Sequence, residues 1–336
     1  MKYKVMHIIN SEHDIGGAES LVRYYSRLQN GSIVWSLFSD KSKKNKVIFY
    51  NFFKFFKDIK SVNIIHVHLF PSLYLAAILS IFFKKKFIYT EHNTWNRRRN
   101  FFLLRSLEKI VYSRFLAVIC ISHATKESLE LWIGEYKNSK FIVIQNGIDI
   151  NYRYYQYNEI ANNTKSTLKS ILMVGRFTPQ KNQKLLIEIL QYEKNINLFL
   201  VGDGELLDDM RTLSKLLKVS ERVFFLGNSN HPIILPCKPD LYIQSSHWEG
   251  FGLTVVEAIA SGIPCIVSDV DGLKDVIPHA KKFSNNIKSL RLTLNMALNN
   301  DNDNYQIINQ LEDIERYNII DHISKINKLY DDENNR

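Results

Sequence analysis

Short, nearly continuous apolar runs separated by helix-length stretches constrain this chain most. They are Val5–Ile9, Ile33–Phe38, Ile64–Val67, Phe87–Thr90, Leu116–Ile121 and Phe141–Ile144. Runs without polar alternation mark strands buried on both faces, as in a parallel sheet covered by helices. Between the first two, Ala18, Leu21, Val22, Tyr25 and Leu28 recur at three- and four-residue spacing, the stripe of an amphipathic helix. A Tyr/Asn-rich stretch from Asn151 to Ser166 interrupts the pattern. A second series follows: Ile171–Val174, Leu198–Val201, Val223–Leu226, Leu241–Gln244 and Cys265–Ser268. The expected fold is therefore α/β, with two Rossmann-like parallel-sheet domains facing each other across a cleft. The boundaries read as 1–150 for the first domain, 151–168 for a linker and 169–311 for the second domain. A C-terminal helix in 312–336, centred on 312–330, is expected to pack back toward the first domain.

Within 336 residues, 45% apolar and 23% charged, there is material for two ordinary domains. Cys120, Cys237 and Cys265 are odd in number, far apart and set beside apolar runs, as small core residues of a reducing compartment would be. No CxxC or His/Cys metal spacing appears in the sequence. The start, MKYKVMHIIN, lacks the long apolar segment of a signal peptide, so a cytoplasmic location is expected. The longest apolar run, Leu69 to Phe83, contains Pro71 and falls short of the roughly 20 residues of a spanning helix, which favours a buried helix.

Three loops following strands carry chemistry. Ile15-Gly16-Gly17-Ala18-Glu19 lies between the first strand and helix, where glycines let backbone N–H groups approach a phosphate at a helix N-terminus. It is not the GxGxxG fingerprint, so a nicotinamide cofactor loses support. Met173-Val174-Gly175-Arg176 with Gln180-Lys181-Asn182 sets two cations at the end of a strand. A planar guanidinium fork beside a mobile ammonium suits a diphosphate. Glu249-Gly250-Phe251-Gly252-Leu253-Thr254-Val255-Val256-Glu257 combines two carboxylates with two glycines and a helix start. Carboxylates only accept hydrogen bonds, which fits them to sugar and ribose hydroxyls. Glu257 stands among Val256, Ala258 and Ile259, a setting in which an unpartnered carboxylate is costly.

Gly16-Gly17, Arg176 with Lys181, and Glu249 seven residues before Glu257 resemble, in order and spacing, the retaining glycosyltransferase family 4 of GT-B fold, bacterial surface-polysaccharide type. The likeness runs from about Lys4 to Ile277. It implies that Glu249 holds donor-sugar hydroxyls and Glu257 the ribose. Gly16, Gly17, Arg176 and Lys181 would bind the donor diphosphate, with Phe251, Gly252 and Leu253 offering backbone N–H groups. Ser229 and Asn230 are implied at the nucleobase edge. His92, in Thr90-Glu91-His92-Asn93, resembles the family histidine near the reacting carbon and is paired with Glu249 as catalytic. Asn146-Gly147-Ile148-Asp149 resembles the turn into the linker. The family's glycine-containing turn and following strand are hard to find in Ile277–Ile287.

The resemblance implies sugar transfer from a nucleotide diphosphate sugar, a UDP-sugar ahead of a GDP-sugar, to a hydroxyl of a glycan acceptor, with retention. A polyprenyl-linked acceptor in capsule, O-antigen or exopolysaccharide synthesis is the expectation. No cofactor and no metal are expected, and Asp269-Val270-Asp271 reads as a strand-to-helix turn and not as a metal-holding pair.

The net charge of +10 is unevenly distributed. Residues 1–150 carry 23 Lys and Arg against 11 Asp and Glu, and the remainder 21 against 23. Lys41–Lys60 mixes seven lysines with six aromatics, and Lys84–Lys86 and Arg97–Arg99 add charge. Lysine with aromatics suits an anionic membrane surface, hence a peripheral location on the inner face of the plasma membrane; a solvated basic face with its aromatics in the core fits equally. No nucleic-acid-binding module is present. Two other classes share some of these features: a nucleotide-sugar epimerase of related fold, and a noncatalytic membrane-binding scaffold.

Overall fold

A computed structural model describes residues 3–11, 16–38, 52–134, 140–150, 168–229, 232–233, 235, 238–298 and 303–335. The 151–168 linker lies outside them except for Leu168, as do Cys237, Asn230 and most of the Lys41–Lys60 segment before Phe52.

The chain divides into two units, Met1–Gly147 with Ile319–Arg336, and Ile148–Asn318. In the first unit, six parallel strands run β1 (Val5–Ile9), β2 (Ile33–Ser36), β3 (Ile64–His68), β4 (Lys86–Glu91), β5 (Ala117–Cys120) and β6 (Phe141–Val143). Their order across the sheet is β2-β1-β3-β4-β5-β6. The inner strands β1, β3, β4 and β5 are buried on both faces, so each face has its own apolar layer. Met6, Ile8, Ile65 and Val67 pack against the helices Phe52–Ser61, Ser72–Phe82 and His123–Ile133. Val5, Ile9 and Ile64 pack against the helices Gly17–Leu28 and Ile319–Asn335.

The C-terminal region holds two helices, Asp303–Glu315 and Ile319–Asn335, where the sequence suggested one over 312–330. The chain passes from one unit to the other in the break between them. The second helix completes the first unit's layer through Ile319, Ile323, Ile326 and Tyr330. Gly147 makes its start possible, since a Cβ there would lie 2.6 Å from that of His322 and 2.8 Å from Ile319 Cα.

The second unit has β7 (Lys169–Val174), β8 (Ile196–Val201), β9 (Val223–Gly227), β10 (Leu241–Gln244), β11 (Cys265–Ser268) and β12 (Lys281–Phe283). They are ordered β12-β11-β10-β7-β8-β9, all parallel. Strand β12 corrects the sequence reading of Ile277–Ile287. Lys-Lys-Phe carries almost no apolar signal because this edge strand buries only Phe283, and its place is set by pairing Ile266–Ser268 with Lys281–Phe283. Cys120 and Cys265 are buried free thiols.

Candidate active site

In the second unit the strand order reverses between β7 and its neighbour β10. Loops leaving adjacent strands there diverge to opposite sides, opening a crevice at their carboxyl ends, which is where open α/β sheets bind ligands. Gly175-Arg176 leaves β7 at this point and Ser245–Gly250 leaves β10.

The two loops are tied together. Gln180 Nε2 donates to the Trp248 carbonyl at 2.9 Å, and His247 N donates to the Gln180 carbonyl at 2.8 Å. Ser245 Oγ donates to the carbonyls of Lys181 and Asn182 at 3.1 and 3.0 Å. Lys181 and Glu249, separated by 68 positions in sequence, form a short ion pair. Glu249 is only 5% exposed, and its Oε1 also accepts from Gln244 Nε2 at 3.0 Å and Ser246 Oγ at 2.8 Å. Gln244 Oε1 in turn lies 2.7 Å from the hydroxyl of buried Tyr242, which lies 2.8 Å from Thr254 Oγ1. A buried carboxylate needs such partners, and here each partner is itself fixed. Gly175 leaves room for the lysine stem, since a Cβ there would lie 3.2 Å from Lys181 Cγ and Cδ.

Backbone conformation completes the loop. Gly252, at φ +79°, caps the helix Leu253–Ala260. Gly272, at φ +84°, passes so close to the Glu249 carbonyl that a Cβ would lie 2.3 Å from its oxygen. The structure thus brings Arg176, Lys181, Glu249, Gly252 and Leu253 into one region, with the Arg176 side chain exposed. The Phe251 side chain instead enters the core, edge-on to Tyr317 at 4.9 Å. Glu257 is half-buried on a helix whose buried face is Val255, Val256, Ala258, Ile259 and Ala260, so it escapes the full desolvation its sequence surroundings suggested. Ser229 follows the edge strand β9, half-buried. Asp271 pairs with Lys274 at 2.9 Å in the turn after β11.

Gly16, Gly17 and His92 belong to the first unit. Gly16 caps the helix Gly17–Leu28 with extended backbone, and the Glu19 carboxylate folds back over it, 2.3 Å from where a Cβ would stand. His92 follows β4, beside Glu91, whose buried carboxylate accepts from Asn93 N at 3.1 Å and from Tyr112 OH at 2.5 Å.

Sequence reasoning missed what lies behind His92. His7 on β1 and His66 and His68 on β3 project from one face of the sheet, fully buried, His7 in register with His66. His7 Nδ1 is 3.3 Å from His68 Nε2, and His68 Nδ1 is 3.4 Å from His92 Nε2. His66 contacts Tyr330 OH and Thr90 Oγ1, and His322 lies 2.7 Å from both Tyr25 OH and the Gln145 carbonyl. Burial disfavours the charged ring, pushing His7 and His322 down to about 4 and His92 to about 3, and His66 and His68 well below the ordinary value. Ring nitrogens of His7, His66 and His68 lie within 4.8 Å of one another, the one grouping of metal-ligand type among the described residues. All three rings are already engaged by protein partners. The readable signal was histidine at alternate positions of the otherwise apolar strand Ile64-Ile65-His66-Val67-His68.

The comparisons with known proteins agree with this architecture. Residues 15–152 match the family model Glycosyltransferase Family 4, and residues 156–313 match Glycosyl transferases group 1. An Escherichia coli relative, UDP-Gal:alpha-D-GlcNAc-diphosphoundecaprenol alpha-1,3-galactosyltransferase, is 31% identical over 64% of this chain and 60% of its own. The O-antigen biosynthesis glycosyltransferase WbnH of Escherichia coli is 29% identical over 57% of this chain and 54% of its own. The chain spans about three fifths or less of the length of these curated relatives. Among solved structures, Anabaena HepE in complex with UDP and glucose superposes with a TM-score of 0.83 at 18% identity, covering 98% of this chain and all of the other. With a family 4 match on its first half, a group 1 match on its second and the two-sheet GT-B fold throughout, this chain belongs to the family 4 glycosyltransferases.

Proposed function

We propose that the enzyme transfers a sugar from a UDP-sugar to a hydroxyl of a lipid-linked glycan acceptor in surface-polysaccharide synthesis, with retention of anomeric configuration. The observation that carries this reading is the pairing of Lys181 with Glu249 at the switch point beside exposed Arg176. Glu249, held by Lys181, Gln244 and Ser246, offers acceptor oxygens to sugar hydroxyls. Arg176 and Lys181 stabilise charge developing on the departing diphosphate, with Gly16 and Gly17 as further diphosphate contacts. Phe251, Gly252 and Leu253 contribute backbone groups, Glu257 holds the ribose, and Ser229 with Asn230 meets the base. His92 meets a hydroxyl near the reacting carbon. The leaving diphosphate takes the proton of the incoming hydroxyl on the same face, so the new glycosidic bond forms on the side from which the C–O bond to phosphate breaks. Neither a metal nor a cofactor enters this scheme.

UDP is favoured because HepE was crystallised with UDP and with UDP-glucose, and because the Escherichia coli relative is named for UDP-Gal. That same name, with its diphosphoundecaprenol, supports a lipid-linked acceptor. Peripheral association with an anionic membrane is supported by the first unit's exposed Phe101, Phe102, Leu103, Leu107 and Ile110, interspersed with exposed Arg105 and Lys109. Phe53 is exposed as well, while Phe55 of the same helix is core, so the Lys41–Lys60 aromatics divide between the two uses. No described helix is long and apolar enough to cross a membrane.

The test begins with thermal shift against UDP, GDP and ADP, in which UDP alone should stabilise the protein as its saturation rises. Transfer from UDP-sugars to a polyprenyl-diphosphate-linked sugar follows, with NMR of the product anomer. An inverted anomer refutes retention, and an epimer formed without acceptor refutes transfer. Flotation with anionic vesicles should exceed that with neutral vesicles and weaken with salt.

A further inference from the structure

Gln29, at the end of the helix Gly17–Leu28, is 1% exposed. Its Nε2 donates at 2.9 Å to Asn327 Oδ1, on the helix Ile319–Asn335. The amide is therefore turned with Oε1 toward His7 Nε2, 3.0 Å away. A carbonyl oxygen only accepts, so His7 carries its proton on Nε2. A neutral imidazole has one donor and one acceptor, which leaves a lone pair on His7 Nδ1. His68 Nε2, 3.3 Å away, must then donate to it, and His68 Nδ1 becomes the acceptor. His92 Nε2, 3.4 Å from that nitrogen, must donate in its turn. One amide orientation thus sets three tautomers in series. Among the described residues no partner engages His92 Nδ1.

We propose that Gln29, His7 and His68 are positioning residues that hold His92 as the Nε2–H tautomer, so that it presents Nδ1 as a hydrogen-bond acceptor. That nitrogen is matched to a hydroxyl of the donor sugar or of the glycan acceptor, and it has nothing to offer a phosphate oxygen. The inference rests on the reading of His92 as a residue that meets substrate. It also gives the helix Ile319–Asn335 a part in the chemistry, because Asn327 fixes the first link of the chain.

The experiment labels the full chain with 15N-histidine and reads the ring nitrogens at neutral pH, assigned through single histidine variants. His92 is expected to show a protonated Nε2 and an unprotonated Nδ1. Gln29→Met removes the anchoring acceptor at a distance from the site. It should spread His92 over both tautomers and lower kcat about tenfold or more, with KM for the nucleotide sugar unchanged. A wild-type His92 protonated on Nδ1 overturns the proposal without needing any variant. So does a folded Gln29→Met protein whose His92 signals do not change, and so does one zinc per chain bound by His7, His66 and His68 in the purified protein. Normal turnover by His92→Ala would instead remove the functional reading beneath it, and the ring spectrum tells the two failures apart.

Discussion

Acidification should unfold the first unit well before carboxylate titration would explain it. His7, His66, His68 and His322 are at most 4% exposed, and burial holds all four below the ordinary imidazole value of 6.5. Below that value the unfolded chain binds protons that the folded unit refuses, so stability falls as pH drops. The loss starts near 6.5 and, for His7 and His322, is complete near about 4, their folded-state values. At about pH 5 the unfolded state gains about 1.5 units of protonation free energy per ring, or about 2 kcal/mol. His7 and His322 together approach about 4 kcal/mol, and His66 and His68 act in the same direction, against the roughly 5–15 kcal/mol that holds a whole domain. Urea unfolding at a series of pH values between about 7 and 5, followed by tyrosine fluorescence and by ring NMR, measures it directly. The second unit provides the internal control, since none of its described histidines is buried. A first-unit stability that changes by less than about 1 kcal/mol over this range would refute the reasoning. So would folded-state titration of these rings near 6.5.

Three further outcomes follow from the second unit and the proposed reaction. Glu249→Gln should lower kcat about a hundredfold or more while UDP still stabilises the protein in a thermal-shift assay, because the change falls on the sugar and not on the diphosphate. Gly272→Ala should destabilise the second unit by roughly 2 kcal/mol or more, because a left-handed residue would gain a Cβ against the Glu249 carbonyl; its melting temperature and its turnover should drop together. Transfer should proceed at full rate in excess EDTA, with Arg176 and Lys181 supplying the positive charge, and loss of activity restored by a divalent cation would refute that assignment.

Much of the fold was legible because parallel strands buried on both faces are apolar along their whole length. Ile64–Val67 and Ile171–Val174 were readable for that reason, within a residue or two of their observed limits. Strand β12 was not, because Lys281-Lys282-Phe283 owes its conformation to the neighbouring strand. At the candidate site, Arg176, Lys181 and Glu249 stood out by residue type and by their position after strands. The sequence suggested Lys181 for phosphate, and the structure adds that its first partner is Glu249. The histidines of β1 and β3 were visible as polar interruptions of apolar strands, yet nothing local ties His7 to His68, 61 positions away.

The sequence by itself determined the two parallel-sheet units and the residue types at their strand ends, because periodicity and burial are local consequences of side-chain chemistry. Only the tertiary structure decided which of those residues meet. The strand order sets β7 beside β10 and so brings Lys181 to Glu249, and it sets β1 beside β3 and so brings His7 to His68. It also returns the last helix to the first sheet, where Asn327 orients Gln29 and through it a chain of three imidazoles. Hydrogen bonds have direction, and that direction is a property of the assembled network that no single residue carries.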